Sequence, residues 1–350
     1  MLKTLQNAFK VKDVRHRIFY VLMMLVVIRI GSQLPVPGVD GSYFKTWFES
    51  QTGDAFNFLD AFTGGSFSQM SIFALSITPY ITSSIIIQLL TIAIPKLEEM
   101  QRDGEDGRKK LGAITRYVTI GLSLFESIAM AIGFGNKGLI PDNSFVKMVV
   151  VVVALTAGSA FLMWVGEQIN EKGVGNGISI VLLINIVSRI PSDMTKLYES
   201  FMKGKIIAKA LLSGVIIAAI IVGVVILVII LNGAERRIPV QYSKKMQGRK
   251  MMGGQSSHIP LKLNTAGVIP VIFASSIMSF PSVIASFLGK TGGTGIGGKI
   301  LAGMNSNNWF DLEHPWYSIG LVAYIVMVIF FAYFYTSITF NPLEVADNMK

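Results

Sequence analysis

The stretch Phe56–Leu90, FNFLDAFTGGSFSQMSIFALSITPYITSSIIIQLL, is apolar from end to end yet reads as two pieces. The second piece is long enough to cross a bilayer, which takes about 20 residues of helix. The first, Phe56 to about Gln69, is far too short to cross, and Gly64-Gly65 interrupts it. Lipid offers no partner for exposed backbone groups, so the spanning piece must be helical. An apolar half-segment therefore lies directly ahead of a full membrane span.

The rest of the chain agrees with a membrane setting. Of the 350 residues, 51% are hydrophobic and only 15% are charged, with a mean hydropathy of +0.56. Soluble domains carry about 25% charged residues, so this composition indicates an integral membrane protein. There is no cysteine, which excludes a disulfide framework and thiolate metal sites. The net charge of +10 fits basic cytoplasmic loops. The first apolar run follows MLKTLQNAFKVKDVRHR and ends in GSQLPVPG without a small-residue cleavage site, so it reads as a retained helix rather than a signal peptide.

Eight spans are expected, running about Ile18–Leu34, Ile72–Ile94, Thr115–Phe134, Phe145–Gly166, Val174–Ile190, Ile206–Leu231, Thr265–Leu288 and Tyr317–Thr339. The span at Val174 is the weakest, broken by Asn176 and Asn185. Lys3, Lys10, Lys12, Arg15 and Arg17 precede span one. Lys96, Arg102, Arg108, Lys109, Lys110 and Arg116 follow span two, and a third basic group follows span six. All three fall on one side, which makes the N-terminus cytoplasmic. Lys196, Lys203 and Lys205 oppose this assignment and are outvoted.

Chemistry-bearing motifs are scarce. Gly293–Lys299 has the spacing G-x-x-x-x-G-K, but Ile300 stands where a phosphate-binding loop needs Ser or Thr. A flexible glycine loop is the better reading. No HExxH, nucleophile elbow or paired-carboxylate arrangement occurs, and His16, His258 and His314 are scattered. The chain is read as a non-enzyme without metal or cofactor.

Within span two, Ser76, Tyr80, Ser84 and Gln88 recur every four residues and would share one helical face, with Ile77 and Ile81 beside it. Such a stripe serves either close helix packing or a helix that faces a water-filled path. Glu126 is the clearest ionisable residue deep in a span, and an intramembrane carboxylate marks a functional site by default. Arg29 can snorkel to the outer surface and is given no role. The loop after span six, about 233–263, holds Arg236, Arg237, Lys244, Lys245, Arg249, Lys250 and Lys262 against Glu235. Paired cations on so long a loop suit phosphate or acidic surfaces, with RNA, lipid headgroups and acidic protein all open.

Several runs together resemble one family. They are RIGSQLPVPGVD, FTGGSFSQMSIFALSITPYITSSIIIQLL, LEEMQRDGEDGRKKL, FLMWVGEQINEKGVGNGISI, ERRIPVQYSKKMQGRK, QSSHIPLKLNTAGVIPVIFASSIMSFP and FNPLEVADNMK. In order and in length these are similar to the SecY family, the channel subunits of the bacterial Sec protein translocase. The resemblance implies an all-α polytopic helix bundle of two inverted five-span halves around a pore. Residues 1–190 would be the N-terminal half, with spans one to five. Residues 191–350 would be an incomplete C-terminal half, with spans six to eight. Family members have ten spans, so the last two are expected to be missing and this chain to be inactive alone.

The resemblance also implies roles. Ile77, Ile81, Leu182 and Ile272 match the aliphatic ring that narrows the pore. The half-segment, about 56–69, matches the plug that closes the resting pore, with Phe62, Gly64, Gly65, Ser66 and Phe67 inside it. The glycine pair would loosen its helix by about 1 kcal/mol per residue relative to alanine. Thr82, Glu126 and Phe280 match the lateral gate through which signal sequences reach lipid. Arg236, Arg237, Arg249 and Lys250 match the surface that docks the SecA motor ATPase and the ribosome. SecE and SecG are the implied companion subunits, translocating polypeptides the cargo, and the bacterial cytoplasmic membrane the location. The bottom-up rival is an ion-coupled secondary transporter with Glu126 as coupling site.

Overall fold

A computed structural model describes residues 9–50, 60, 63–136, 138, 144–204, 207–240, 246–247, 250–251, 257–287, 296–304, 309 and 315–339. In chain order its helices are α1 (Lys12–Gly31), α2 (Gly41–Ser50), α3 (Thr78–Ala93), α4 (Pro95–Arg102), α5 (Glu105–Asn136), α6 (Phe145–Lys172), α7 (Gly177–Phe201) and α8 (Ile207–Gly233). They continue with α9 (Ile269–Phe287), α10 (Ile296–Met304) and α11 (Ser318–Thr339). Between α8 and α9 lie four strands, β1 (Glu235–Val240), β2 (Met246–Gln247), β3 (Lys250–Met251) and β4 (Ser257–Lys262).

Among the described residues, five helical segments are long and apolar enough to cross a membrane: Glu105–Gly135, Phe145–Lys172, Gly177–Phe201, Lys209–Gly233 and Pro315–Ser337. A sixth would be the pair α3 and α4 taken together, but these are bent by 104°. Pro95 causes that bend. It holds Ile94 extended at φ −115 and ψ 109 and opens a new helix, and α4 (PKLEEMQR) is polar. Proline also sets the start of α3. A helix entering through Ile72 would lose the bond from residue 79 to residue 75 and drive the Pro79 ring into that carbonyl. The chain instead makes successive turns from Gly64 to Ile77, and α3 begins at Thr78 with Pro79 in its first turn. The expected start of span two at Ile72 is therefore corrected to Thr78.

Other boundaries move as well. The helix that carries span five does not stop near Ile190: α7 runs on to Phe201 with Pro191 inside it. α5 begins at Glu105, about three turns before the expected Thr115. The glycine loop near Gly293 is helical from Ile296, because Ile296, Ile300, Leu301 and Met304 recur at helical spacing. The basic loop after α8 is a hairpin at its base. β1 pairs antiparallel with β4, from Glu235 opposite Lys262 to Val240 opposite Ser257. Pro239 and Pro260 are tolerated because both strands of a two-stranded ribbon are edges.

The described chain divides into two compact units, Met1–Asp193 with Met278–Leu321, and Met194–Ile277 with Val322–Lys350. In the first, α6 packs along α5 and α1, and α3 packs on α5. Its interior has two apolar clusters. One joins Val36, Phe44, Phe67, Met70, Leu75, Met130, Phe134 and Leu155, among others. The other joins Met24, Ile28, Phe73, Ile77, Leu162, Val165, Ile169 and Val181. Ile72, in the turns ahead of α3, packs against both. α2 is started by Asp40, whose Oδ1 accepts from the Ser42 hydroxyl at 2.6 Å and the Ser42 amide at 3.0 Å. The Ser42 hydroxyl first, then the Tyr43 and Ser42 amides, hold that carboxyl below its ordinary pKa.

In the second unit, α8 holds an 18-residue stretch within Lys209–Gly233 with a mean hydropathy of 3.5 and no buried residue. A helix of that kind fits lipid or a companion helix on every side. Asn264 Nδ2 donates to Asn232 Oδ1 at 3.2 Å, and the Leu263 amide to the Ala234 carbonyl at 2.9 Å, closing the foot of the hairpin. The Phe273 ring of α9 stacks on Phe331 of α11 at 5.1 Å.

Candidate functional site

The site lies in the first unit and is built around the turns that lead into α3. Three of the residues read as the plug, Gly64, Ser66 and Phe67, are held by different neighbours. Phe67 is buried in an aromatic triad, 6.2 Å from Phe44 of α2 and 6.3 Å from Phe134 of α5, with Phe44 and Phe134 5.0 Å apart. These edge-to-face and tilted pairs are each worth about 0.5–1.5 kcal/mol beyond their burial. Gly64 has φ +68, and a Cβ there would fall 2.7 Å from the Asn185 carbonyl oxygen and 2.9 Å from its Cα. Gly65 has φ +86 with open space around it. The pair is thus required by left-handed backbone, and at Gly64 also by backbone-to-backbone contact with α7. The expected role, loosening a helix, is corrected: no helix runs through Gly64-Gly65. Ser66 is fully buried, and its carbonyl accepts from the Ser71 amide at 2.9 Å. Phe62 lies outside the described residues.

Asp60 organises this segment. Its Oδ1 accepts from the Ser68 amide at 2.8 Å, and its carbonyl accepts from the Gly65 amide at 3.1 Å and the Thr63 hydroxyl at 3.2 Å. Its Oδ2 accepts from Arg189 Nη1 of α7 at 2.5 Å. The pair is well removed from solvent, with side chains 5% and 14% exposed.

The end of the segment is tied to the loop after α1. The Val36 amide donates to the Met70 carbonyl and the Ile72 amide to the Leu34 carbonyl, each at 2.9 Å, with Pro35 opposite Ser71. Met70 and Ser76 both have positive φ, 45° and 53°, an arrangement costly for a residue with a side chain. Ser76 is held in it by Asn185, whose Nδ2 donates to the Ser76 hydroxyl at 3.1 Å. Ser76 is therefore off the face shared by Tyr80, Ser84 and Gln88, because it precedes α3. One α7 residue, Asn185, thus touches the half-segment through its backbone and the entry to α3 through its side chain.

Of the expected ring, Ile77 is fully buried at the N-terminus of α3, and Ile81 and Leu182 are half-buried against the same cluster. Ile272 is buried on α9 in the second unit. Thr82 is half-buried on α3, and Phe280 lies on α9. Glu126 is half-buried on α5. Its neighbour Ser127 is buried, donating to the Ser123 carbonyl at 2.6 Å and accepting from Thr156 of α6 at 3.1 Å. Arg236 and Arg237 are exposed on β1, opposite Leu261 and Pro260. Successive strand residues point to opposite faces, so the two guanidinium groups leave the ribbon on different sides. Lys250 belongs to β3, and Arg249 lies outside the described residues.

Set against known proteins, residues 71–350 match the SecY family model. The chain belongs to the SecY family. Full-chain relatives agree: the protein translocase subunit SecY of Bacillus subtilis is 43% identical over 100% of this chain and 79% of its own length. That of Halalkalibacterium halodurans is 42% identical with the same coverage. That of Escherichia coli K12 is 41% identical over 97% of this chain and 74% of the relative. Among solved structures, Sec61 in a canine ribosome–channel complex superposes with a TM-score of 0.64. It is 18% identical and is matched over 95% of this chain and 75% of its own. A SecY structure described for the plug domain that stabilises the closed channel and maintains a membrane seal gives 0.61 at 19% identity, over 90% and 70%. At such identities these two speak for the fold alone, a polytopic helical channel fold.

Within this SecY-family chain, sequence reasoning passed over two residues of the site, Asp60 and Arg189. A signal was present: an acidic residue inside an apolar half-segment and an arginine near the end of an apolar helix each call for a partner. In the sequence Asn185 shows only as an interruption of a weak apolar span. Its polarity is used by Ser76.

Proposed function

We propose that this chain is the channel subunit of a protein translocase, passing secretory polypeptides across a membrane and membrane segments sideways into lipid. The observation that carries this reading is the seated half-segment directly ahead of Ile77 and Ile81. A folded-in stopper and an aliphatic constriction are consecutive in sequence, and both contact α7. The apolar side chains packed with Ile77, among them Phe73, Leu162, Val165, Ile169 and Val181, give a constriction its bulk, and the polar groups nearby, Ser76 with Asn185 and Asp60 with Arg189, are paired with each other. Bulky side chains that offer water no hydrogen bonds resist ions yet can fit around an extended peptide.

On this reading Ile77, Ile81, Leu182 and Ile272 form the ring, and residues 56–69 form the plug. Thr82, Glu126 and Phe280 line the lateral gate. The chain does no chemistry itself, and SecA or the ribosome supplies the driving force, with SecE and SecG as companions. The protein sits in the bacterial cytoplasmic membrane with its N-terminus inside, and residues 1–190 and 191–350 belong to its two inverted halves. The deciding experiment crosslinks a stalled secretory chain to photoreactive residues at Ile81 and at Ile272. Adducts at both positions are expected; adducts at neither would remove the channel reading.

Docking supplies a further expectation. Arg236 and Arg237 at the hairpin foot, with Arg249 and Lys250 farther along the loop, present cations for acidic protein or rRNA phosphate. Arg249→Glu with Lys250→Glu replaces attraction by repulsion and is expected to weaken SecA and ribosome binding by about tenfold or more. The loss should shrink as salt is raised. Equal Kd values for parent and variant at low salt would show that docking lies elsewhere.

A further inference from the structure

The Asp60–Arg189 pair has a setting unlike that of the other ion pairs among the described residues. Five of those are exposed pairs one helical turn apart or surface links, such as Arg102–Glu98, Lys109–Glu105 and Arg116–Glu167. Asp60–Arg189 bridges the plug segment and α7 across 129 positions of sequence and is nearly closed to solvent. Asn185 and Arg189 are one turn apart, so one face of α7 presents both the surface against Gly64 and the guanidinium that takes Asp60. Asp193, a further turn along, accepts from Arg189 Nε at 3.4 Å and fixes the guanidinium from its other side.

We propose that Asp60–Arg189 is an electrostatic latch that sets how readily the plug leaves its seat. The inference rests on the plug reading above. While the plug is seated, each charge is neutralised by the other and by the Ser68 amide and Asp193. When the plug leaves, Asp60 passes to water, where its charge is well solvated, while Arg189 stays on α7 with Asp193. The pair therefore acts as a reversible contact with a hydrated alternative on the plug side. A purely apolar seat would lack such orientation, because apolar contact is non-directional. Removing one partner leaves the other charge buried with only part of its compensation, Asp193 for Arg189 or the Ser68 amide for Asp60, an unfavourable change in the seated state alone.

The test uses the absence of natural cysteine in these 350 residues. Ser66→Cys places one thiol in the buried seat, and a membrane-impermeant maleimide applied to the outer face reads how often the plug is out. The measurement is made on the assembled channel in proteoliposomes. Asp60→Asn and Arg189→Gln are each expected to speed labelling by about tenfold or more, a fraction of what loss of a buried partner can cost. The exchange Asp60→Arg with Arg189→Asp restores the attraction and should return labelling to near the parental rate, which misfolding would not do. Parental labelling in both single variants, or an exchange variant as fast as the singles, would overturn the latch. Resting conductance is recorded in parallel. Fast labelling without added leak would keep the latch and remove the plug's role as a seal.

Discussion

Deletion of residues 60–67 is expected to leave the channel conducting ions at rest. The deletion removes the Phe67 ring from its triad, the Asp60 carboxylate from Arg189 and the Gly64 backbone from Asn185. Burying one Phe side chain is worth about 1.5–3 kcal/mol, so Phe67 alone favours the seated state by about one to two powers of ten. Planar-bilayer recordings of the assembled channel should show resting current at least about tenfold above parent, since every 1.4 kcal/mol is a factor of ten. Peptide passage should persist, because Ile77, Ile81 and α3 stay in place. Resting current equal to parent would remove the plug assignment, while the ring and docking assignments would stand on their own tests.

The second large effect concerns Gly158. A Cβ on this α6 residue would lie 2.1 Å from the Ile72 carbonyl oxygen and 2.9 Å from its carbonyl carbon. That obstacle is backbone, and Ile72 is fixed at the other edge by the hydrogen bond its amide donates to the Leu34 carbonyl. Gly158→Val is therefore expected to push α6 off the turns that precede α3. Overpacking of this kind costs about 1–3 kcal/mol and more where nothing can yield, a large share of a typical total of about 5–15 kcal/mol. Thermal unfolding in detergent should fall by many degrees, and the yield of membrane-inserted protein should drop. Gly223, on α8 with open space around it, makes the control: Gly223→Val should change little. A parental melting temperature for Gly158→Val would show that α6 and Ile72 are not in close contact.

Much of the architecture was legible because a bilayer imposes a length and a hydropathy on anything that crosses it. Helices α5, α6, α8 and α11 fall where apolar runs do. What was hidden follows from two causes. The first is that hydropathy does not distinguish helix from other buried backbone. Residues 72–77 are as apolar as those that follow, and only Pro79 says that the helix starts later; Pro95 says that it ends in a sharp corner. The hairpin β1–β4 is hidden in the same way, because its charges suggest a loop and mask the alternation of Ile238 with Val240 and of Ile259 with Leu261. The second cause is distance along the chain. Asp60 and Arg189 each announce a need for a partner, but nothing local names which. Gly64 likewise was visible as a helix breaker, and its contact with Asn185 required three dimensions.

The short bridge between Leu34–Val36 and Met70–Ile72 has a kinetic consequence. On the plug reading, it clamps the C-terminal end of that segment to the loop after α1, about ten residues from Asp60. A plug that swings out about this pivot remains on a leash of a few tens of ångströms at full stretch. Its return is then a first-order step at an effective concentration in the millimolar range, independent of how much protein the membrane holds. Resealing after each polypeptide clears the pore is thus a property of one molecule, with its clock set by the leash rather than by encounter.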